Sequence, residues 1–360
     1  MLSNSGWAVP TDGAEEAGRV LMARIRLGGI KAFERQAYLT SACRSGGDVL
    51  RDICSRLAAE RINLSLLTHI AGNGGRWSIT AAGTGDADGF SSYIHWKESH
   101  GECTVGKLQR DVSMISVFPY HQRLDVIGSL LSTVAGKGIR LYGLASSPSA
   151  VTVLVSADDF KSAVDGLFDV FEFPTYSSPL DWHAAYRDQE ELLSEIICSY
   201  EEALIKVYDV TSHNELDLWK ITLPFSRLED FGELLLALHH SEMRMPFLVS
   251  KTLPEETGLC FAFCVATGGR VRVKELLERR MPDRECCLSG PVSVFFLHGP
   301  HFGDRYGIAS TLVTCLDNAK IVPLAVSCAV SSMSVVVDDR DSQRIMGALR
   351  SSFLIPGRER

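Results

Sequence analysis

VSMISVFPYHQRLDVIGSLLSTVAGKGIRLYGLASSPSAVTVLVSADDFKSAVDGLFDVF, residues 112–171, carries the reading of the fold. Its opening alternates apolar and small residues, a strand pattern. Val126, Ile127, Leu130, Leu131 and Val134 then recur at helical spacing, and Gly136 and Gly138 close that helix. IRLYGLASS is a second strand and SAVTVLVSADD a third, with a turn at Ser147–Pro148–Ser149 between them. A second helix follows, apolar at Phe160, Val164, Leu167 and Phe168, with Asp158 or Asp159 as its expected cap. EFP is read as a short closing strand. The order strand, helix, strand, strand, helix, strand is the ferredoxin-like plan.

The same order is written again at 292–353. VSVFFLH is the strand, GPHFGDRYG the loop and IASTLVTCLDN the helix, with Ile308, Leu312, Cys315 and Leu316 on one face. KIVPLAVSCAV and SSMSVVVDD are strands, and RDSQRIMGALRSSF is the second helix. The stretches in front of the two copies also match. ARIRLGGIKAFERQAYLTSACR begins at Ala23 and ALIKVYDVTSHNELDLWKITLPFS at Ala203, so that Ile25 aligns with Ile205 and Ile30 with Val210. Each leads into a helix and two strands. A closing helix is well formed in the second half (GGRVRVKELLERRM) and poorly formed in the first (DGFSSYIHWKESHG).

The expected fold class is therefore α+β, with four ferredoxin-like βαββαβ units arranged as a tandem duplication of a two-unit module. The expected boundaries are a flexible tail at 1–22, unit 1 at 23–110, unit 2 at 111–175, a linker and helix at 176–202, unit 3 at 203–290 and unit 4 at 291–356.

Composition narrows the function classes. The 360 residues are 46% hydrophobic with a net charge of −8, enough to bury sizeable cores and unlike a basic nucleic-acid-binding surface. Aromatic and basic residues do not interleave, so no nucleic-acid partner is expected. No apolar run has the length of a membrane span, and the N-terminal stretch lacks the pattern of a secretory signal, so a cytoplasmic protein without a membrane partner is expected. The ten cysteines include no Cys-x-x-Cys pair and read as reduced, mostly buried thiols.

At this point the chain resembles the ACT domain, a small amino-acid-sensing fold, and in particular the regulatory tail of aspartate kinases. The residues carrying the likeness are ISVF…VIGSLLSTVAGKGIRLYGLASSPSAVTVLVSADDFKSAVDGLF, LRDICSRLAAERINLSLLT and VVVDDRD at Val335–Asp341. Ile62-Asn63-Leu64 fits the family's step from helix into second strand well; Ile139-Arg140-Leu141 and Ile321-Val322-Pro323 fit it in outline. The resemblance runs from near Ala23 to Phe353. It departs from the family where PYHQRLD and HGPHFGD replace a glycine-rich loop, and it includes no kinase catalytic half.

The resemblance implies paired units, with a small amino acid held where the loop after one unit's first strand meets its neighbour. The expected ligand-binding residues are Ser45, Gly46, Gly47 and Asp48 with Ile62 and Asn63 in unit 1. In unit 2 they are Tyr120, His121, Gln122, Arg123 and Asp125 with Ile139 and Arg140. In unit 4 they are Gly299, His301, Gly303 and Asp304 with Ile321 and Val322. The loop of unit 3, PFSRLED, begins with the stiff Pro224 and is the least suited. A helix N-terminus suits a carboxylate; the plainer reading of the same loops is capped helix starts on the surface.

No catalytic constellation occurs, so no enzyme is expected. GTGDADG at Gly83–Gly89 lacks the Lys-Ser/Thr of a phosphate loop and the closing Glu of a calcium loop. His95, His100 and Cys103, the pair His298 and His301, and the adjacent His239 and His240 do not form a four-ligand set, so neither metal nor cofactor is expected. The function implied is an allosteric sensor whose partners are an amino-acid effector and either a second copy of the chain or a metabolic enzyme. The alternative is an interaction scaffold of ACT-like units without a ligand.

Overall fold

The computed structural model describes residues 24–43, 47–72, 77–84, 90–91, 93–95, 103–194, 205–253, 257–282, 284–299, 302, 305–329 and 332–355. The expected tail at 1–22 lies outside them. In the first half the strands are β1 (Ile25–Arg26), β2 (Gly29–Cys43), β3 (Asn63–Ala71), β4 (Trp77–Thr84), β5 (Cys103–Phe118), β6 (Leu141–Ser146), β7 (Val151–Ser156) and β8 (Phe171–Glu172). Its helices are α1 (Gly47–Ala59), α2 (Leu124–Gly136) and α3 (Phe160–Val170), and α4 (Pro179–Ser194) leads towards the second half. There the strands are β9 (Ile205–Lys206), β10 (Asp209–Pro224), β11 (Phe247–Thr252), β12 (Gly258–Ala266), β13 (Glu285–His298), β14 (Ala325–Ala329), β15 (Ser332–Asp338) and β16 (Phe353–Leu354). Helices α5 (Leu228–His240), α6 (Arg270–Arg280), α7 (Ile308–Asn318) and α8 (Ser342–Ser352) complete it.

Twelve strands close into one ring of antiparallel neighbours, in the order β10-β12-β11-β6-β7-β5-β2-β4-β3-β14-β15-β13. Among the described residues, strands of the two halves pair at two places. At one, β6 pairs with β11, with Leu144 opposite Ser250. At the other, β3 pairs with β14, with Thr68 opposite Ser327. We call these the β6–β11 seam and the β3–β14 seam. Short parallel pairs, β1 with β8 and β9 with β16, fasten the start of each half to its end.

The long strands explain how one ring serves two helix layers. β5 pairs with β7 only over Val112–Val117, and β4 pairs with β2 only from Ala37 onward. The first part of β2 and the last part of β5 therefore lie with β6 and β7, and their other ends lie with β3 and β4. The changeover falls at register shifts, with positive φ at Arg35 (53°), Asp111 (69°) and, in β10, Glu215 (56°). A bulge of this kind bends a strand and raises its twist, which lets it leave one wall and enter the other.

Among the described residues, three apolar cores result. One lies under α2, α3, α4, α5 and α6, one under α1, α7 and α8, and one inside the ring. Because the walls are covered on both faces, β12 is buried from Gly258 to Val265, and its sequence GLCFAFCVA reads as a continuous apolar run. Side-chain hydrogen bonds cross the ring interior: Thr68 Oγ1 donates to the Ser250 carbonyl at 3.1 Å and Ser327 Oγ to the Ser146 carbonyl at 3.5 Å.

Some expectations need correction. Asp159 stands at the N-cap of α3, but its backbone is helical and its side chain accepts no capping bond; the first turn is held by backbone bonds such as Ala163 N to Asp159 O at 2.8 Å. The weak closing helix of the first half does have helical backbone at 90–91 and 93–95, anchored by Phe90 and Tyr93, which are fully buried. The strand that opens the second copy begins at Glu285, not Val292, so Cys286 and Cys287 lie within β13 and are free thiols.

Candidate functional site

Four helix-to-strand junctions share one geometry. A residue with positive φ ends each helix: Arg61 (57°), Gly138 (66°), Glu242 (55°) and Lys320 (53°). The next N–H returns to the helix, from Ile62 to Leu57 O at 2.8 Å, Ile139 to Val134 O at 2.9 Å, Met243 to Leu238 O at 3.2 Å and Ile321 to Leu316 O at 2.9 Å. These are left-handed helix C-caps. They make Asn63, Arg140, Arg244 and Val322 equivalent positions, each one residue further on.

At the β3–β14 seam a cavity lies between the two halves. Ile62, Asn63 and Leu64 form one side, with Cys54 and Ala58 of α1. Phe302, Arg305 and the start of α7 (Gly307, Ile308, Ala309, Ser310) form the other, with Cys328 of β14. Gly307 has φ +83° and precedes the helix, a conformation that glycine adopts without strain. The first helical N–H groups of α7 lack partners within their own helix, and the positive end of the helix dipole adds to the charge of Arg305. That combination suits a carboxylate, while the Asn63 amide both donates and accepts. The cavity volume is about 10 Å³, room for about one water.

Burial raises the Cys54 thiol strongly and pushes Cys328 up to about 12. Both are neutral thiols at neutral pH, which disfavours nucleophilic or metal-binding roles. Among the described residues, no group of three or more His, Cys, Asp or Glu could hold a metal ion, and no helix is long and apolar enough to cross a membrane.

The expected site residues are distributed as follows. Ile62 and Asn63 line the cavity. The loop opposite them is that of the second half, so it is not joined by its own Ile321 and Val322: Ile321 is buried in the core under α7 and Val322 is 56% exposed. Gly299 begins that loop in close quarters, where a Cβ would stand 2.5 Å from the Lys206 carbonyl oxygen. Ser45, Gly46, His301, Gly303 and Asp304 lie outside the described residues. Gly47 and Asp48 are in the first turn of α1.

The β6–β11 seam is filled differently. Tyr120 is fully buried, and its N–H donates to Ser149 O at 3.0 Å. His121 and Gln122 have positive φ in the turn before α2. Arg123 and Asp125 form an ion pair with each other, and Asp125 also lies 3.7 Å from His239 of α5. Ile139 is buried. The Arg140 guanidinium lies 5.3 Å from the Tyr142 ring centre and 5.2 Å from that of Phe225.

Sequence reasoning missed Arg305, Gly307, Ser310, Cys54 and Cys328 at the cavity. Gly307 was open to notice, since a glycine directly before an apolar helical run marks a turn. The thiols carried no signal beyond burial, and which loop faces which strand depends on how the halves pair.

No protein-family model and no curated protein matches this chain. Solved structures do. A crystal structure of aspartate kinase from Synechocystis is similar over 93% of this chain, with TM-score 0.73 and 14% identity. The chain spans 57% of that kinase chain's length. The ligand-free regulatory subunit of aspartate kinase from Thermus thermophilus is similar over 41% of this chain and 99% of its own, with TM-score 0.37 and 13% identity. That from Thermus flavus covers 41% and 98%, with TM-score 0.37 and 11% identity. At 14% identity, the likeness to the Synechocystis aspartate kinase chain is a likeness of fold, and it agrees with the resemblance read from the residues.

Proposed function

We propose that the chain is a non-catalytic regulatory protein built of four ACT-type units, which binds a small amino acid at the β3–β14 seam. In each half one unit takes the later part of the first long strand, and its partner takes the earlier part as a fourth strand. The divisions fall near 110/111 and 290/291, where Asp111 and the Gly290–Pro291 pair stand. The observation that carries the reading is the convergence of Arg305 and the start of α7 on the Ile62-Asn63 step across a cavity between halves. A carboxylate would sit on Arg305 and the α7 N–H groups, and Asn63 with strand carbonyls would take the ammonium. Because the cavity has room for about one water, binding would have to widen the seam. An effector that prefers the widened state shifts the balance between the two by its difference in affinity. A metabolic enzyme or a second copy would read that state.

The test is equilibrium dialysis and thermal shift against the twenty amino acids, with wild type, Arg305→Ala and Asn63→Ala. One amino acid should bind saturably and raise Tm, and both variants should lose at least tenfold in affinity. A wild-type protein that responds to none of the twenty overturns the proposal. The small cavity favours a second reading, a scaffold whose seams only hold units together; that reading expects silence from every amino acid and an unaltered fold in both variants.

A further inference from the structure

We infer that the β6–β11 seam is self-liganded, with the Arg140 side chain as the permanent occupant of a two-ring cation site formed by Tyr142 and Phe225. The helix-cap hydrogen bonds make Arg140 the counterpart of Asn63. At the β3–β14 seam, Asn63 borders a cavity lined on the far side by Phe302, Arg305 and Gly307. At the β6–β11 seam the corresponding loop, before α5, supplies Phe225. Here the guanidinium lies beside a ring from each half, 5.2 Å from the Phe225 ring centre in the second and 5.3 Å from Tyr142 in the first. Both distances are within the range of a cation–π contact, and a planar guanidinium stacks on rings where an ammonium does not. Arg140 Nε is buried, as a bound ligand would be. The chemical class this cradle selects is a guanidinium. The assignment goes beyond the effector reading and does not depend on it: the β3–β14 seam can be empty or liganded and the rings still hold Arg140.

The experiment uses the full chain and ethylguanidinium chloride as probe. Arg140→Ala should lower Tm by a few degrees and expose the cradle. Millimolar ethylguanidinium should then restore part of the loss in a saturable way, while sodium chloride and urea at equal concentration do not. Wild type, whose cradle is occupied, should show no such rise, and Arg140→Ala/Phe225→Leu should lose the response. Arg140→Gln serves where the alanine variant does not fold. In wild-type protein the Arg140 Nε–H resonance should be displaced upfield by the two rings and exchange slowly with water. A variant that responds to ethylguanidinium no more than wild type, or an Arg140 resonance at its free-peptide position, overturns the inference.

Discussion

Gly128 of α2 and Gly232 of α5 meet face to face across the β6–β11 seam: a Cβ on Gly128 would lie 2.8 Å from the Gly232 carbonyl oxygen, and one on Gly232 would lie 3.0 Å from that of Gly128. The separation of packed helices follows the side chains at their contact, and two glycines bring these backbones together. Across the other seam α1 and α7 meet through side chains, with Ser55 Oγ 3.4 Å from Ser310 Oγ. One seam is thus drawn tight and the other is spaced by side chains around a cavity.

Gly128→Ala should destabilise the protein by about 1–3 kcal/mol, because the new methyl meets backbone that must move. Gly347→Ala, in α8 where nothing lies within 4 Å of the added carbon, should stabilise it by about 0.5–1 kcal/mol. Urea unfolding midpoints read both. A Gly128→Ala midpoint at or above that of wild type would show that the helix crossing is looser than these distances imply.

Stability should fall at alkaline pH. Burial raises the thiols of Cys54, Cys264 and Cys328 above their ordinary value of 9.0, the last to about 12. Above pH 9 the unfolded chain loses these protons and the folded chain keeps them, so the unfolded state binds fewer protons and gains. The contribution is whole below pH 9 and is lost above it, at about 1.4 kcal/mol per pH unit for each thiol. Cys328→Ala should be less stable at pH 7, from the cavity, yet decline less steeply from pH 9 to 10. A wild-type stability that is level over that interval contradicts the burial.

Asp217 is fully buried and receives two hydrogen bonds from Arg270, at 2.6 and 2.8 Å. Removing the arginine strands the carboxylate, which costs far more than losing an exposed pair. Arg270→Ala should lower Tm by several degrees, while Arg279→Ala, exposed on the same helix, should leave it nearly unchanged. Equal melting points for the two variants would mean that the pair contributes nothing.

α4 is docked by rings: Trp182 stacks on Tyr186 with centres 4.8 Å apart and planes at 10°, and Phe160 of α3 lies 6.1 Å from Trp182. Trp182→Ala should free the helix, so that limited proteolysis cuts within 176–194 at least tenfold faster. Because both seams join the halves independently of this link, the two fragments should still co-elute in size-exclusion chromatography. Separation on cutting would show that the link, not strand pairing, holds the halves together.

Much of this was legible in the residues. The apolar face of α2 and the glycine at 138 are local features, and local hydrogen bonds realise them. The step at Ile62 and Asn63, which line the cavity, is legible because the passage from helix to strand has a short-range pattern, a left-handed residue followed by an apolar one. The Arg123 loop reads as ligand-binding; in the structure Arg123 pairs with Asp125, which lies near His239 of α5, a neighbour that nothing within that loop names.

The residues alone determined the repeated strand and helix order, because periodicity and caps act within a few positions along the chain. The tertiary structure decided that four long strands bend from one wall of a ring to the other, that the loop of the second half faces Asn63 of the first, and that one seam closes on glycines while the other keeps a cavity. Those outcomes depend on pairing between segments far apart in sequence, where register and packing are set by partners that no local pattern names.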